Sequence, residues 1–313
     1  MKINHILLFV QIGLIVGSLL GGIATPVQAE TLCDRTSLNS TKLFILAGQS
    51  NMVGSQSDLA LLPPHLLEPQ EQVLWYDNNN QWNLLQPPTE PFPFSKVNNG
   101  VGFGPEISLG RKIAANLNET VALVKYAQGG TSLAEDWQPG SDLYNRMIER
   151  VNSAKSDCAA NLDVAGFFWM QGEKDATQAD FANSYQSNLN YFIDRVREDL
   201  NSPELPFILG KTFVAQGLNI EYNSYNYADT VRSAQSSFAE LDFTCCTLVV
   251  ETEDLSRHSD QLHLDSQGLV DLGERFGTAW LKTHHKIPES SMWGILGGFV
   301  LVLLCTTRQK SDR

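Results

Sequence analysis

The sequence predicts an α/β protein, a three-layer α/β/α sandwich built around a parallel sheet. Two observations support this prediction. Short apolar runs alternate along the chain with longer amphipathic stretches, and polar or glycine-marked turns follow several of the apolar runs. Strands that alternate with helices form parallel sheets whose two faces are covered by those helices. No internal repeat is present in the sequence, so we expect a single domain between the two chain ends.

Five apolar runs have the length of a buried strand and are predicted strands. They are Leu43–Leu46, Val121–Lys125, Val164–Trp169, Pro206–Leu209 and Thr247–Glu251. Five amphipathic stretches are predicted helices, namely Glu106–Asn116, Tyr144–Ala154, Asp180–Leu200, Tyr227–Ala239 and Gln267–Lys282. The intervening Asp58–Gly104 is rich in Pro, Asn and Gln, and predicts a long loop excursion with a short hairpin near Val73–Tyr76. Excursions of this length are usually functional.

The N-terminal end of the chain resembles a secretory signal. Lys2 precedes an apolar stretch, Ile6–Ile23, and the small residues Val27 and Ala29 follow it. Residues 1–29 are therefore predicted to be a signal peptide cleaved after Ala29, with an uncleaved anchor as the alternative. Under either interpretation we expect the body of the protein, residues 30–286, to be exported.

The C-terminal segment, residues 287–313, resembles a bacterial PEP-CTERM sorting signal. Pro288 and Glu289 precede a short apolar stretch, Met292–Cys305, and a basic tail follows, although Ser290 stands where a second proline is usual. A membrane anchor with a positive cytoplasmic end is the other interpretation. The stretch is shorter than the roughly 20 apolar residues that a spanning helix needs. Membrane attachment and processing by a sorting protease both remain open.

Composition narrows the function classes. The formal net charge is -13, which makes the chain a poor candidate for binding nucleic acid or anionic surfaces by charge. No cysteine or histidine spacing typical of zinc sites occurs, so we expect no metal and no cofactor. Four cysteines belong to the exported body and predict one or two disulfides of open connectivity. They are Cys33, Cys158, Cys245 and Cys246.

The stretch Leu43–Met52 is the most informative part of the chain. Its apolar run predicts a buried strand that stops at Gly48, and Ser50 follows at once. A serine at the carboxyl edge of a parallel sheet lies where α/β folds bind ligands. It can act as a nucleophile if a base and an oxyanion hole reach it. The alternative is a strand, a turn and a helix whose serine is only an N-cap.

Two further blocks follow predicted strands. Gly129 and Gly130 come after the second strand, and paired glycines there allow a backbone N–H to approach an oxyanion, although a simple tight turn is the commoner cause. After the third strand, Gln171 offers a neutral side-chain donor for the same oxyanion. Glu173 and Asp175 raise the alternative of paired glycosidase carboxylates. We expect Glu173 to orient its neighbours by hydrogen bonding instead.

The fourth block holds Asp260 and His263, three residues apart and just before the last predicted helix. This spacing in a turn lets the carboxylate reach one imidazole nitrogen while the other nitrogen faces Ser50. His258 is the rival base, but Leu255 stands where its carboxylate would be. Asp265 is predicted to be the N-cap of the last helix.

These four blocks, in this order, resemble the SGNH/GDSL hydrolase superfamily. The branch they resemble contains the sialate O-acetylesterase-like proteins and carbohydrate esterase family six, which includes acetylxylan esterases. Its Gly-Gln-Ser-Asn block is matched by Gly48–Asn51, and its Trp-x-Gln-Gly-Glu-x-Asp block by Trp169–Asp175. The glycine of its second block is matched best at Gly130, and its Asp-x-x-His block by Asp260–His263. The resemblance covers about residues 42–281 and implies the flavodoxin-like SGNH fold.

The resemblance implies a serine esterase that removes O-acetyl groups from carbohydrates. Ser50, His263 and Asp260 would form the triad, and the Ser50 and Gly130 amides with the Gln171 side chain would form the oxyanion hole. Gln49, Asn51 and Glu173 would support them. One alternative is a non-catalytic carbohydrate-binding surface protein, and another is a lipase or thioesterase. The polar turn Asp77–Gln81, flanked by Trp75 and Trp82, favours a sugar platform over a broad acyl pocket.

Overall fold

The computed structural model describes residues 40–89, 102–158, 161–220, 223–240 and 246–284. Seven strands form one sheet, and they are β1 Thr41–Gly48, β2 Gln70–Tyr76, β3 Trp82–Leu85, β4 Val121–Ala127, β5 Leu162–Met170, β6 Phe207–Gly210 and β9 Thr247–Val250. Their order in the sheet is β3-β2-β4-β1-β5-β6-β9. All neighbouring pairs are parallel except the antiparallel pair of β2 and β3. Asn219–Ile220 (β7) and Asn223–Ser224 (β8) pair separately as a small antiparallel ribbon.

Helices cover both faces of the sheet, which confirms the predicted three-layer α/β/α fold. The longer helices are α3 Glu106–Leu117, α4 Asp142–Ser156, α5 Ala179–Asp199, α6 Ala228–Glu240 and α7 Ser266–His284. Two short helices, α1 Ser50–Val53 and α2 Pro64–Leu67, lie between β1 and β2. One core cluster packs α4, α5 and α6 on one face, and a second packs α3 and α7 on the other. The central strands are therefore buried on both sides, as their continuous apolar runs predict.

The predicted hairpin in the excursion after β1 is present, but it belongs to the main sheet. β2 pairs with β4 in parallel, and β3 then pairs with β2 as an antiparallel edge strand. Trp75 and Trp82 are each only 6% exposed, and the Trp82 indole N–H donates to the Ala154 carbonyl. The prediction of a sugar platform at these tryptophans is therefore wrong, because Trp82 belongs to the core cluster on one face of the sheet and Trp75 to the cluster on the other.

The carboxyl ends of β1, β4 and β5 meet at one edge of the sheet because these strands run in parallel. Gly48 ends β1 there with φ of 145°, and a Cβ at this position would lie 2.1 Å from the Met170 carbonyl oxygen. Only glycine lets the ends of β1 and β5 approach this closely. Three of the predicted site blocks follow these strand ends, and the block with Asp260 and His263 follows β9, which runs in the same direction as its neighbour β6.

Other sequence predictions are resolved less completely. Cys158 is disulfide-bonded, so one of the one or two expected disulfides is present. Cys33 and Cys245, the signal segment 1–29 and the tail 287–313 lie outside the described residues, and the division of the chain into these parts stays a prediction. Among the residues that the structure describes, no helix is long and apolar enough to cross a membrane.

Candidate active site

Ser50 is the first residue of α1, in the sharp turn that follows β1. Its side chain is largely buried but still reaches the surface, with 7% of the residue exposed. The first N–H groups of a helix have no partner within the helix, so the Ser50 amide is available to an external acceptor. Gly54, in the left-handed region with φ of 90°, ends this single turn. The turn therefore offers a hydroxyl and a backbone donor at one place.

The buried carboxylate of Glu173 holds the residues on both sides of Ser50. Gln49 Nε2 donates to Glu173 Oε2 over 2.6 Å, and Asn51 Nδ2 donates to Glu173 Oε1 over 2.9 Å. Burial raises the pKa of Glu173, while hydrogen bonds from its own backbone amide and from Asn51 oppose that rise. Glu173 thus holds the residues before and after Ser50 by hydrogen bonds, which is the orienting role that the sequence predicts.

Asn51 also ties this turn to the loop that carries His263. Its Nδ2 donates to the Leu262 carbonyl over 3.1 Å, and its Oδ1 accepts from the Leu264 amide over 2.9 Å. Both backbone groups belong to residues adjacent to His263, and Asn51 is adjacent to Ser50. One buried amide therefore fixes the relative position of the predicted nucleophile and the predicted base.

His263 and Asp260 form a hydrogen-bonded pair. His263 Nδ1 lies 2.8 Å from Asp260 Oδ2, while the Leu262 and His263 amides donate to Asp260 Oδ1 over 2.9 and 3.0 Å. Partial burial alone would raise the pKa of Asp260, but these backbone and imidazole hydrogen bonds lower it to about 2. An ionised Asp260 keeps the proton of His263 on Nδ1 and leaves Nε2 as the basic nitrogen.

No hydrogen bond joins Ser50 Oγ to His263 Nε2 within the described part of the chain. Catalytic hydrogen bonds are often long in ligand-free enzymes and tighten when substrate binds. His258, the rival base, points its Nε2 at the Gln56 carbonyl oxygen, 3.0 Å away, rather than at a carboxylate. The geometry therefore gives a carboxylate partner to His263 and not to His258.

The glycine loop after β4 borders Ser50. A Cβ built on Gly129 would lie 3.6 Å from the Ser50 Cβ, and one built on Gly130 would meet open space. Gly130 has φ of 74°, a conformation that favours glycine. Among the described residues, no hydrogen bond uses the Gly130 N–H. This loop places an unpaired backbone donor beside open space near Ser50.

Gln171 is fully buried and its amide is already engaged. Nε2 donates to the Thr131 carbonyl over 3.0 Å and to Asp175 Oδ2 over 2.6 Å, and Oε1 accepts from the Tyr185 hydroxyl over 3.2 Å. Both amide hydrogens thus have protein acceptors, a feature that the sequence pattern could not reveal. The direct oxyanion role of Gln171 remains a prediction, and it requires one of these bonds to exchange.

Asp175 connects the third block to the second. It accepts from the Leu133 and Ala134 amides over 2.9 and 3.0 Å as well as from Gln171. Burial raises the pKa of Asp175 to about 6 despite these hydrogen bonds. The carboxylate is fully enclosed, so it acts on the loop rather than on a substrate. The glycosidase alternative needs two accessible carboxylates, and Glu173 and Asp175 are both buried.

Sequence reasoning missed two residues around the site, Lys125 and Gln56. Lys125 forms a fully buried ion pair with Glu106 over 2.8 Å, and its Nζ donates to the Val53 carbonyl behind α1 over 3.3 Å. The Glu106 carboxylate therefore pairs with Lys125 inside the protein. An apolar run in the sequence gives no sign of a paired lysine. Gln56 donates to Asp260 Oδ2 over 3.0 Å, and no motif in the sequence around Gln56 predicted that contact. Asp265 caps α7 as predicted, accepting from the Gly268 amide.

Comparisons with known proteins now bear on these residues. The sequence profile of the family described as carbohydrate esterase, sialic acid-specific acetylesterase matches residues 40–282. This chain belongs to that family. A probable carbohydrate esterase of Arabidopsis thaliana is 30% identical over 276 residues, which span 83% of this chain and 98% of that protein. The family and its members make the chain a carboxylic ester hydrolase of the carbohydrate acetylesterase type.

Solved structures agree on the fold. A crystal structure of an Arabidopsis thaliana protein has a TM-score of 0.65 at 28% identity and covers 78% of this chain and 99% of its own. A carbohydrate acetylesterase from Xanthomonas citri has a TM-score of 0.56 at 18% identity, covering 78% of this chain and 56% of its own. The protein named NanS reaches 0.56 at 16% identity, over 79% and 98%. The last two similarities confirm the fold alone.

Proposed function

We propose that this family member removes O-acetyl groups from carbohydrates through an acyl-enzyme formed on Ser50. The single observation that supports the mechanism most is the bridge made by Asn51. This residue bonds the backbone on both sides of His263 while standing next to Ser50. A histidine already paired with Asp260 is thereby tied to the turn that carries Ser50.

In this mechanism the Ser50 hydroxyl attacks the acetyl carbonyl carbon and gives its proton to His263 Nε2. Asp260 stabilises the imidazolium that forms and keeps the ring in the required tautomer. The sugar alkoxide then leaves with the proton from His263. Water, deprotonated by the same nitrogen, then attacks the carbonyl carbon of the acyl-enzyme. The Ser50 oxygen leaves with the proton from His263, so acetate is released and free Ser50 is regenerated.

The Ser50 and Gly130 amides are the backbone donors for the oxyanion. Neither N–H has an acceptor among the residues that the structure describes, and preorganised donors of this kind stabilise charge that develops only in the transition state. Gln171 holds this loop through the Thr131 carbonyl. It becomes a third donor when that bond exchanges for the oxyanion.

The test is hydrolysis of p-nitrophenyl acetate by Ser50→Ala beside a matched serine variant. The rate should fall at least about 10³-fold, by analogy with other triad deletions. Ser55→Ala is the control, because Ser55 Oγ is buried without a hydrogen-bond partner and its loss removes no bond. A Ser50→Ala enzyme with half the wild-type rate would exclude Ser50 from the mechanism.

Substrate class is tested separately. The family description and the names of the relatives support an acetylated carbohydrate, and the sugar is to be found by comparing acetylated xylan, acetylated sialic acid and p-nitrophenyl esters of increasing chain length. Preference for long acyl chains would favour a lipase or thioesterase. Failure of a serine-reactive phosphonate to label Ser50 would favour a non-catalytic carbohydrate-binding protein.

Export is part of the proposal. It is supported by the signal-like residues 1–29 and by the disulfide of Cys158, because disulfides persist mainly in oxidising compartments. The tail 287–313 is proposed to govern location and not catalysis. A chain of residues 30–285 should therefore keep full activity, and mass spectrometry of the mature C-terminus separates a trimmed sorting signal from an intact anchor. An inactive truncated chain would place the tail in the catalytic domain.

A further inference from the structure

Gln56 contacts the His263–Asp260 pair from a different part of the chain. Its Nε2 lies 3.0 Å from Asp260 Oδ2 and 3.0 Å from His263 Nδ1. The opposite orientation of the amide would direct its oxygen at a carboxylate oxygen, so the nitrogen is the atom that belongs there. Gln56 therefore supplies a donor at the point where the imidazole meets its carboxylate.

The carboxylate of Asp260 accepts from four donors in all. Two backbone amides hold Oδ1, whereas His263 Nδ1 and Gln56 Nε2 share Oδ2. A charged oxygen is a stronger acceptor than a neutral ring nitrogen, so the Gln56 hydrogen goes to Asp260. His263 then keeps its own proton on Nδ1. Without Gln56, Oδ2 would have only the imidazole to fix its position.

The backbone of Gln56 is also unusual. Its φ is 67°, in a region that residues other than glycine seldom occupy, and such outliers cluster at functional sites. This conformation turns the Gln56 carbonyl toward His258 Nε2, 3.0 Å away, while the His258 amide donates to the His263 carbonyl over 2.9 Å. The side chain of Gln56 thus holds Asp260, and its carbonyl holds the rival histidine away from that carboxylate.

We infer that Gln56 is a positioning residue that fixes Asp260 and, through it, the orientation and tautomer of His263. The inference rests on the proposed function. The Gln56 side chain contacts Asp260 and His263 and not Ser50, so its proposed effect reaches the reaction through the imidazole.

The first test separates the side chain of Gln56 from its backbone. Gln56→Gly removes the amide but suits the positive φ, so the variant should fold at least as well as the wild type. We expect kcat to fall about tenfold with KM changed less than about twofold, as for loss of a hydrogen bond to a charged group. Asn118→Gly is the matched control, since Asn118 has φ of 53° at the end of α3. Full kcat in Gln56→Gly would overturn the inference.

The second test reads the imidazole directly, by nitrogen-15 NMR titration of the full-length protein. Asp260 on the same loop, Glu173 from the segment after β5 and neighbouring His258 are the titratable groups that face His263. In Gln56→Gly, Asp260 Oδ2 keeps only the imidazole to hold it in place. The single Nδ1–H form expected for neutral His263 in the wild type should therefore give way to a mixture of the two tautomers.

The spectrum of a His258→Gln variant identifies the His263 signals. A His263 ring that keeps a single Nδ1–H tautomer in Gln56→Gly would overturn the inference, whatever the activity. A wild-type protein that hydrolyses no ester would refute the proposed function, and the tautomer seen by NMR would still decide the role of Gln56. The two failures are therefore distinguishable.

Discussion

Replacing Asn51 by alanine should affect stability and activity together. The side chain is 1% exposed and makes three hydrogen bonds, one to the Glu173 carboxylate and two to the backbone of Leu262 and Leu264. A bond to a charged group contributes about 1.5–3 kcal/mol and a neutral one about 1 kcal/mol. The expected loss in the free energy of unfolding is therefore about 4 kcal/mol, a large share of the roughly 5–15 kcal/mol typical of a folded domain.

The effect on kcat should be about 10²-fold, because misplacement of a catalytic group by about 1 Å can cost that much. Urea unfolding and p-nitrophenyl acetate kinetics of Asn51→Ala measure the two effects. Gln49→Ala is the matched variant, since it also removes a bond to Glu173 but none to the His263 loop. Gln49→Ala should lower the free energy of unfolding, but it should lower kcat much less than Asn51→Ala does. If Asn51→Ala lost under 1 kcal/mol, or matched Gln49→Ala in kcat, the bridge would not position the base.

Three further outcomes are expected. His263→Ala should lower kcat by about 10³-fold or more, and His258→Ala should change kcat little, because of these two histidines only His263 bonds a carboxylate. A large loss of kcat in His258→Ala, measured by steady-state kinetics, would reassign the base. Gln171→Ala should lower kcat by about 10²-fold with little change in KM. It should also lower the urea midpoint, because two buried acceptors lose their donor. A rise in KM at constant kcat would instead make Gln171 a substrate-binding residue. Asp175, whose pKa is about 6 when folded and 3.8 ordinarily, binds its proton more tightly in the folded state, so its contribution to the free energy of unfolding should fall by about 2–3 kcal/mol as pH rises from about 4 to about 6. Urea unfolding of wild type and Asp175→Asn tests this, since the wild-type advantage should be larger near pH 4 than near pH 7, and a constant or growing advantage would contradict it.

The core of the fold could be predicted because its signals are local. The runs that become β1, β4 and β5 are continuous and apolar, as strands buried on both faces must be. The ends of the predicted helices agree with the structure to within two residues, since amphipathic periodicity depends only on neighbours along the chain. Strand β2 and the edge strand β3 were harder to assign, because pairing with β4 places β2 and pairing with β2 places β3, rather than their own patterns.

The candidate site divides in the same way. Ser50, Gly130 and the Asp260–His263 pair stand in short blocks whose spacing points to their chemistry. The tryptophans at 75 and 82 show the opposite case, because the same aromatic residue can line a surface or fill a core. Whether it is buried depends on which helices pack over it, and composition does not encode that.

By itself, the sequence determined the order of strands and helices, the residue types at each strand end, the acidic charge and the four blocks that resemble the esterase branch. Only the tertiary structure decided that Asn51 reaches Leu262, 211 residues away, that Gln56 reaches Asp260 across 204 residues, and that both hydrogens of Gln171 are occupied. Local patterns follow from the backbone periodicities of 2 and 3.6 residues, which any short window reveals. A hydrogen bond between distant segments depends instead on a donor–acceptor distance that is set to within a few tenths of an ångström. Those distances are set when the parallel strands bring their carboxyl ends to one edge of the sheet.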